Sequence, residues 1–309
     1  MEDCNGDYIA PGLIELHTDN LEGHMQPRPG VNWPHISAIL AHDAELSSVG
    51  ITTVFDALRV GSIINTSHKG KKSVPDSGYE SYARLVADEI IKLRASNSLR
   101  IRHHFHLRAE VCSETCEEEL HQFSAQDDVQ LISIMDHTPG QRQFRNLDKF
   151  RQYLEGKHAM SPGEVDAHFQ HLYELQSTYA ARHIAVIIER ARDLGAVLAS
   201  HDDATASDVE ESLKAGARIA EFPTTFEAAH LCRKAGQLII MGAPNLIRGG
   251  SHSGNVAAHE LATNGLLDIL SSDYVPSALL LSAWKLAGIL NNLPKAIKTV
   301  TANPAAART

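Results

Sequence analysis

The chain has 309 residues, 43% of them hydrophobic, enough to build a full core in one large α/β unit or two smaller ones. Its formal net charge is −10 and it carries no long Lys/Arg block, which argues against a nucleic-acid or anionic-membrane surface but leaves room for a small anion held by local arginines. The apolar runs fall far short of a membrane span, no basic-then-apolar leader opens the chain, and Cys4, Cys112, Cys116 and Cys232 are too few and too scattered for a disulfide framework. They read as ordinary thiols of a cytoplasmic protein.

Short β-type runs alternate with helical patterns almost throughout. Strands are expected over 9–19, 51–58, 101–111, 129–137, 196–204, 218–223, 237–244 and 267–274, with helices over 37–49, 79–95, 183–194, 207–214, 225–234 and 256–264. Several helical patterns stop at a glycine, among them Leu194-Gly195 and Ala215-Gly216, as helix C-termini often do. Eight such units in this length predict an α/β fold of the TIM-type (β/α)8 class, with residues 1–309 forming a single barrel. Two polar excursions, 61–78 and 138–179, are expected as long loops or insertions near the active-site face, the second with its own helix over 164–181. The ends read as clipped: a metal-type motif arrives within twenty residues, and the chain stops just past a helix.

In a barrel of this kind the active site collects where the strands end. The first strand ends in His17 and Asp19, two residues apart and therefore on one face of an extended chain. On their own they suit half of a divalent-metal site or, equally, a capping Asp beside a core histidine. The third strand carries His106, Arg108 and Glu110 on one face, the fourth ends Met135-Asp136-His137, and the fifth Ser200-His201-Asp202-Asp203. Glu221 lies on the sixth strand and Asp273 ends the eighth. One carboxylate at a strand–helix junction is commonplace, but six strands of eight ending in ligand-type residues favour a mono- or dinuclear metal centre.

After the seventh strand, the segment 242–255 contains Arg248-Gly249-Gly250-Ser251-His252-Ser253-Gly254-Asn255. A Gly/Ser-rich loop can turn successive N–H groups toward an anion, with Arg248, Ser251 and His252 adding polar contacts and the 256–264 helix aiming its N-terminus at the same spot. Arg28, Arg108 and Arg142 are further candidate anion contacts. No Walker-type phosphate loop, G-x-G-x-x-G strand turn or serine nucleophile elbow is present. The chemistry is expected to rest on metal-activated water, with Asp273 as the natural base.

These residues are similar to something known. Pro11-Gly12-Leu13-Ile14-Glu15-Leu16-His17, a histidine ending the fifth strand and an aspartate ending the eighth resemble the amidohydrolase superfamily. His17-Thr18-Asp19-Asn20, Met135-Asp136-His137-Thr138-Pro139-Gly140-Gln141-Arg142-Gln143, Ser200-His201-Asp202-Asp203-Ala204-Thr205, Glu221-Phe222-Pro223-Thr224-Thr225 and Gly249-Gly250-Ser251-His252-Ser253-Gly254-Asn255 narrow the resemblance to the PhnM family, the amidohydrolase branch of the carbon–phosphorus lyase pathway. The resemblance implies hydrolysis of α-D-ribose 1-methylphosphonate 5-triphosphate to the 5-phosphate and pyrophosphate. It also implies a metal shell of His17, Asp19, Glu110, His201 and Asp273, with His137 and Glu221 as second-tier ligands. The ion would be divalent, zinc first and manganese or iron as alternatives, with one or two per chain. Many amidohydrolases have histidine where Asp19 and Glu221 stand. The small β-sandwich that the family builds from both chain ends is expected to be largely missing from this chain. The implied partner is a phosphorylated sugar phosphonate, with no nucleic acid, no membrane, and a homo-oligomer left open. Two competing readings are an amidohydrolase acting on a C–N bond and a non-catalytic component of the phosphonate machinery.

Overall fold

A computed structural model describes residues 5–28, 31–63, 81–145, 147–158, 160–251 and 254–307. Eight parallel strands pair in chain order: β1 (Leu13–Thr18), β2 (Ile51–Val60), β3 (Arg102–Glu110), β4 (Val129–Met135), β5 (Val197–His201), β6 (Ile219–Glu221), β7 (Leu238–Gly242) and β8 (Ile269–Ser271). Every expected strand is present, shorter by a few residues at most ends. The sheet curls until its edges meet: Thr18 bridges Asp273, the Asp19 N–H donates to the Asp273 carbonyl at 3.0 Å, and the Asp273 N–H to the His17 carbonyl at 3.3 Å. The result is a TIM-type barrel, joined at the mouth by the residues singled out above.

The interior is filled by Leu16, Phe55, Leu131, Ala199, Ile219, Ile240 and Ile269 from seven of the strands, with His104 of β3 packed on Phe55. Outside the barrel, α2 (His35–Ser48), α3 (Ala83–Ala95), α6 (Pro162–Leu194), α7 (Ala206–Ala215), α8 (Phe226–Lys234) and α11 (Ala278–Leu290) bury one apolar face each against the strands. Capping chemistry explains their ends. Ser161 opens α6 in a reciprocal capping box with Glu164, Pro162 takes the first helical position, and Gly195 stops the helix at φ 68°, where a side chain would be strained.

Three expectations need correcting. The helices expected over 164–181 and 183–194 are one helix, α6, because buried Val165, Phe169, Leu172, Leu175, His183, Ile187 and Ala191 keep helical spacing across the gap and no Gly or Pro interrupts it. The excursion after β4 is largely helical, with α5 (Leu147–His158) and the start of α6 burying Phe150, Val165 and Phe169 in a small core of their own. The expected loop 242–255 begins as a helix, α9 (Ala243–Arg248), with Pro244 in its first turn and Ala243 and Leu246 buried; α10 (Ala258–Thr263) follows. Residues 64–80, most of the other excursion, lie outside the described residues.

Candidate metal centre

The mouth is organised around one carboxylate. Glu221, at the end of β6, is fully buried. Its Oε1 lies 3.2 Å from His17 Nδ1, its Oε2 lies 3.2 Å from His201 Nδ1, and it accepts the Ser133 hydroxyl at 2.6 Å. The His17 ring stacks on His201 with centroids 5.4 Å apart and meets His106 edge-on at 5.0 Å. Burial alone would raise the Glu221 carboxyl, but its interaction with His17 and its hydrogen bonds to the facing imidazoles outweigh burial and hold the group well below the ordinary range.

β1 is pinned in place by its neighbour. Glu15, fully buried, accepts the His17 N–H at 2.8 Å, the Ser271 hydroxyl at 2.7 Å and the Ser272 N–H at 2.6 Å, so one carboxylate ties the His17 backbone to the end of β8 that carries Asp273. The β1–β2 register shifts between Glu15 and Thr18, the segment that presents His17. Three residues at strand ends, Asp202, Phe222 and Asp273, adopt left-handed φ values of 57°, 54° and 57°. Strained non-glycine backbone gathered at one end of a barrel marks a site where geometry has been kept against local preference.

The protons do not suffice for the acceptors. His106 Nδ1 lies 3.0 Å from the Leu16 carbonyl, which holds the proton there and turns the Nε2 lone pair inward. Burial pushes this imidazole down to about 3, so it is neutral. Its Nε2 faces the Ser133 hydroxyl and Glu221 Oε1 3.8 Å away, yet Ser133 has one proton for both. On the other side of His201, Asp202 Oδ2 is buried without a hydrogen bond, 3.2 Å from His201 Nε2. Two groups of ligand atoms therefore converge, each within 4.8 Å: His17, His106 and Glu221; and His137, His201 and Asp202. This donor set suits a divalent cation at either group, because a cation satisfies facing lone pairs that hydrogen bonds leave unmatched.

The other expected residues are distributed around these groups. Asp19, partly exposed, lies 3.8 Å from His17 Nε2 and is bonded to the half-buried Arg108 guanidinium. Burial would raise its carboxyl, but Arg108 and then His17 pull it below the usual range. Glu110 bonds the His137 imidazole. Asp273, burdened by burial and by the charge of Asp19, is held up at about 6. His17, Asp19, His201 and Asp273 thus come together at one end of the barrel. Among the candidate anion contacts, Arg108 pairs with Asp19 and Glu22, and Arg142 donates to the His201 carbonyl at 2.9 Å and to buried Asp203 at 2.6 Å. Both side chains are engaged by the protein. Arg28 and Arg248 are exposed, Arg248 at the C-terminal end of α9; Ser251 is half-buried; His252 lies outside the described residues. His106 and Asp202 stood out as strand-end residues without entering the expected shell, and Ser133 carried no signal at all.

A closed parallel barrel with this mouth defines the protein as a TIM-type barrel with a candidate metal centre. The chain matches no protein-family model. It is 46% identical, over 99% of its own length and 79% of the relative's, to the α-D-ribose 1-methylphosphonate 5-triphosphate diphosphatase of Escherichia coli K12, and it belongs to that PhnM family. Among solved structures, a 5-methylcytosine deaminase from Klebsiella pneumoniae liganded with phosphonocytosine aligns with TM-score 0.53 at 13% identity over 96% of this chain and 75% of that one. A TatD family hydrolase from Entamoeba histolytica aligns with TM-score 0.53 at 11% identity over 96% of this chain and 98% of that one. These two support the fold alone. No described helix is long and apolar enough to cross a membrane.

Proposed function

We propose that this chain hydrolyses α-D-ribose 1-methylphosphonate 5-triphosphate to the 5-phosphate and pyrophosphate at a divalent metal centre. The observation that carries the substrate is the 46% identity over 99% of the chain to a diphosphatase of that name. His17, His106 and Glu221 would hold one ion, and His137, His201 and Asp202 a second, with Asp19 and Asp273 at the edge of the first group and Glu110 orienting His137. Zinc fits a set of imidazoles and carboxylates, and the setting is cytoplasmic metabolism.

A bound divalent ion supplies a Lewis acid for phosphoryl oxygens and a more acidic water. The chain's own residues do the rest. Asp273 sits at the end of β8 beside Asp19 and His17, where it takes the proton of the attacking water. The water oxygen bonds to the α-phosphorus, the bond to the bridging oxygen breaks, and pyrophosphate leaves with the electron pair. Glu221, holding the Nδ1 sides of His17 and His201, keeps both rings turned with Nε2 toward Asp19 and Asp202. Metal analysis of the purified chain, with phosphorus NMR of the triphosphate before and after its addition, tests the assignment. Pyrophosphate and the 5-phosphate in equal amounts are expected. A metal-loaded chain that leaves the triphosphate intact sinks it.

A further inference from the structure

A cavity of about 660 Å³, of the size small-ligand sites use, opens at the start of α5. One wall is the segment after β4 and the first turn of α5, with Gln143, Arg145, Asp148 and Lys149; the other is Gly254 and Asn255 from the segment between α9 and α10. It adjoins the site through Phe144, whose ring lies 5.9 Å from that of His137 and stacks on Phe150 at 3.8 Å. Gln143 and Arg145 flank Phe144 in sequence, so this wall begins one residue from a ring in contact with His137. The walls meet at Gly254, where φ is +79° and a Cβ would run into the Lys149 ammonium. A side chain there would displace the cation from the cavity.

The lining places two cations against one carboxylate in a chain whose net charge is −10. A leaving pyrophosphate has several negative oxygens that groups beside the α-phosphorus do not reach, and a cationic cleft one side chain from His137 can take them. We propose that this cleft receives the β- and γ-phosphoryl groups of the substrate, with Arg145 and Lys149 setting the preference for a triphosphate. The proposal rests on the diphosphatase reading, because that reading supplies the polyphosphate.

The test compares the metal-loaded parent with Arg145→Ala/Lys149→Ala, and with Lys214→Ala on the outer helix α7 as a surface-charge control. Titration calorimetry with inorganic tripolyphosphate, and separately with methylphosphonate, measures binding without turnover. The double variant is expected to bind tripolyphosphate at least tenfold more weakly, with methylphosphonate binding, metal content and circular dichroism unchanged, and Lys214→Ala is expected to match the parent. In turnover, KM for the triphosphate should rise by a similar factor while kcat changes less than threefold. A parent that does not bind tripolyphosphate, a double variant that binds it like the parent, or a loss confined to methylphosphonate overturns the cleft. A parent that binds tripolyphosphate through these residues yet does not cleave the substrate refutes the diphosphatase reading and leaves the cleft standing. Gly254→Ala gives a second handle, with weakened tripolyphosphate binding expected as Lys149 is pushed aside.

Discussion

The chain buries a second set of charges away from the barrel mouth, and it makes stability depend on alkaline pH. His103 of β3 has Nδ1 2.8 Å from Asp56 of β2 and Nε2 3.3 Å from Asp43 of α2, with all three side chains fully buried. Asp56 also faces His42 of α2 at 3.1 Å, and Asp43 is bonded to the Arg100 side chain at 3.0 Å. Burial alone would lower the His103 pKa, but Asp56 and then Asp43 outweigh it and lift it from 6.5 to about 9. A group raised in the folded state stabilises fully below its unfolded pKa and loses that contribution as pH rises through the folded one. The window therefore runs from about 6.5 to about 9, and a shift of this size is worth about 3 kcal/mol. Burial would raise Asp43 as well, but His103 and Arg100 hold it at about 2, so the acid side is protected until far lower pH. Urea unfolding followed by circular dichroism at pH 6 and pH 9.5, on the parent and on His103→Gln, isolates the effect because every other titrating group cancels in the difference. The parent's advantage should shrink by about 3 kcal/mol between the two pH values. A difference that stays the same would show that His103 is neutral in the folded protein and that the reasoning is wrong.

Three further outcomes are expected. Asp273→Asn should keep its metal and lose about 10²–10⁴-fold in turnover by phosphorus NMR; a variant within tenfold of the parent would move the base role to another carboxylate, and Glu110 is then the next to test, because Asp203 is committed to Arg142, Ser200 and Ser212. Glu221→Gln replaces an acceptor of two imidazoles with an amide that carries one acceptor oxygen, so metal affinity measured by chelator competition should fall about 10–100-fold. Arg142→Met strips the cation from buried Asp203, and removing one member of a buried pair costs about 3–5 kcal/mol, readable as a lowered urea midpoint.

How much of this was legible from sequence differs by element. The strands were, because each apolar run is bounded by a glycine-stopped helix or a polar end, and the barrel followed from their number. The helix Pro162–Leu194 reads as two in sequence because Ala181-Arg182 breaks the apolar pattern locally, although the periodicity runs on across it. The segment 242–255 reads as a loop because glycine and serine dominate its second half, while the helix of its first half depends on burying Ala243 and Leu246 against neighbours that only the fold supplies. At the mouth, alternation placed His17 beside Asp19, and strand ends placed His201 and Asp273 with them. Partner choice was not legible. Nothing in the local sequence says that Arg108 reaches across to Asp19, that Arg142 clamps Asp203, or that Ser133 divides one proton between His106 and Glu221. The pairing of His103 with Asp43 and Asp56 likewise spans 60 and 47 residues of sequence and exists only once α2 lies against β2 and β3.

Those pairings bear on how a polyanion can bind at all. Asp19, Glu22, Glu110, Asp202, Asp203, Glu221 and Asp273 gather at this end of the barrel, and Arg108 and Arg142 beside them are engaged by Asp19, Glu22 and Asp203. A triphosphate brought to this mouth without added positive charge meets net repulsion at short range, where water screens poorly. Divalent charge at the His17 and His201 groups reverses that sign at the attacked phosphorus, and the Arg145–Lys149 cleft meets the charge further along the chain of phosphates. Metal binding and substrate binding are then linked through electrostatics before any bond is made. An acidic surround suited to holding divalent cations would be the same feature that refuses a triphosphate until they are in place.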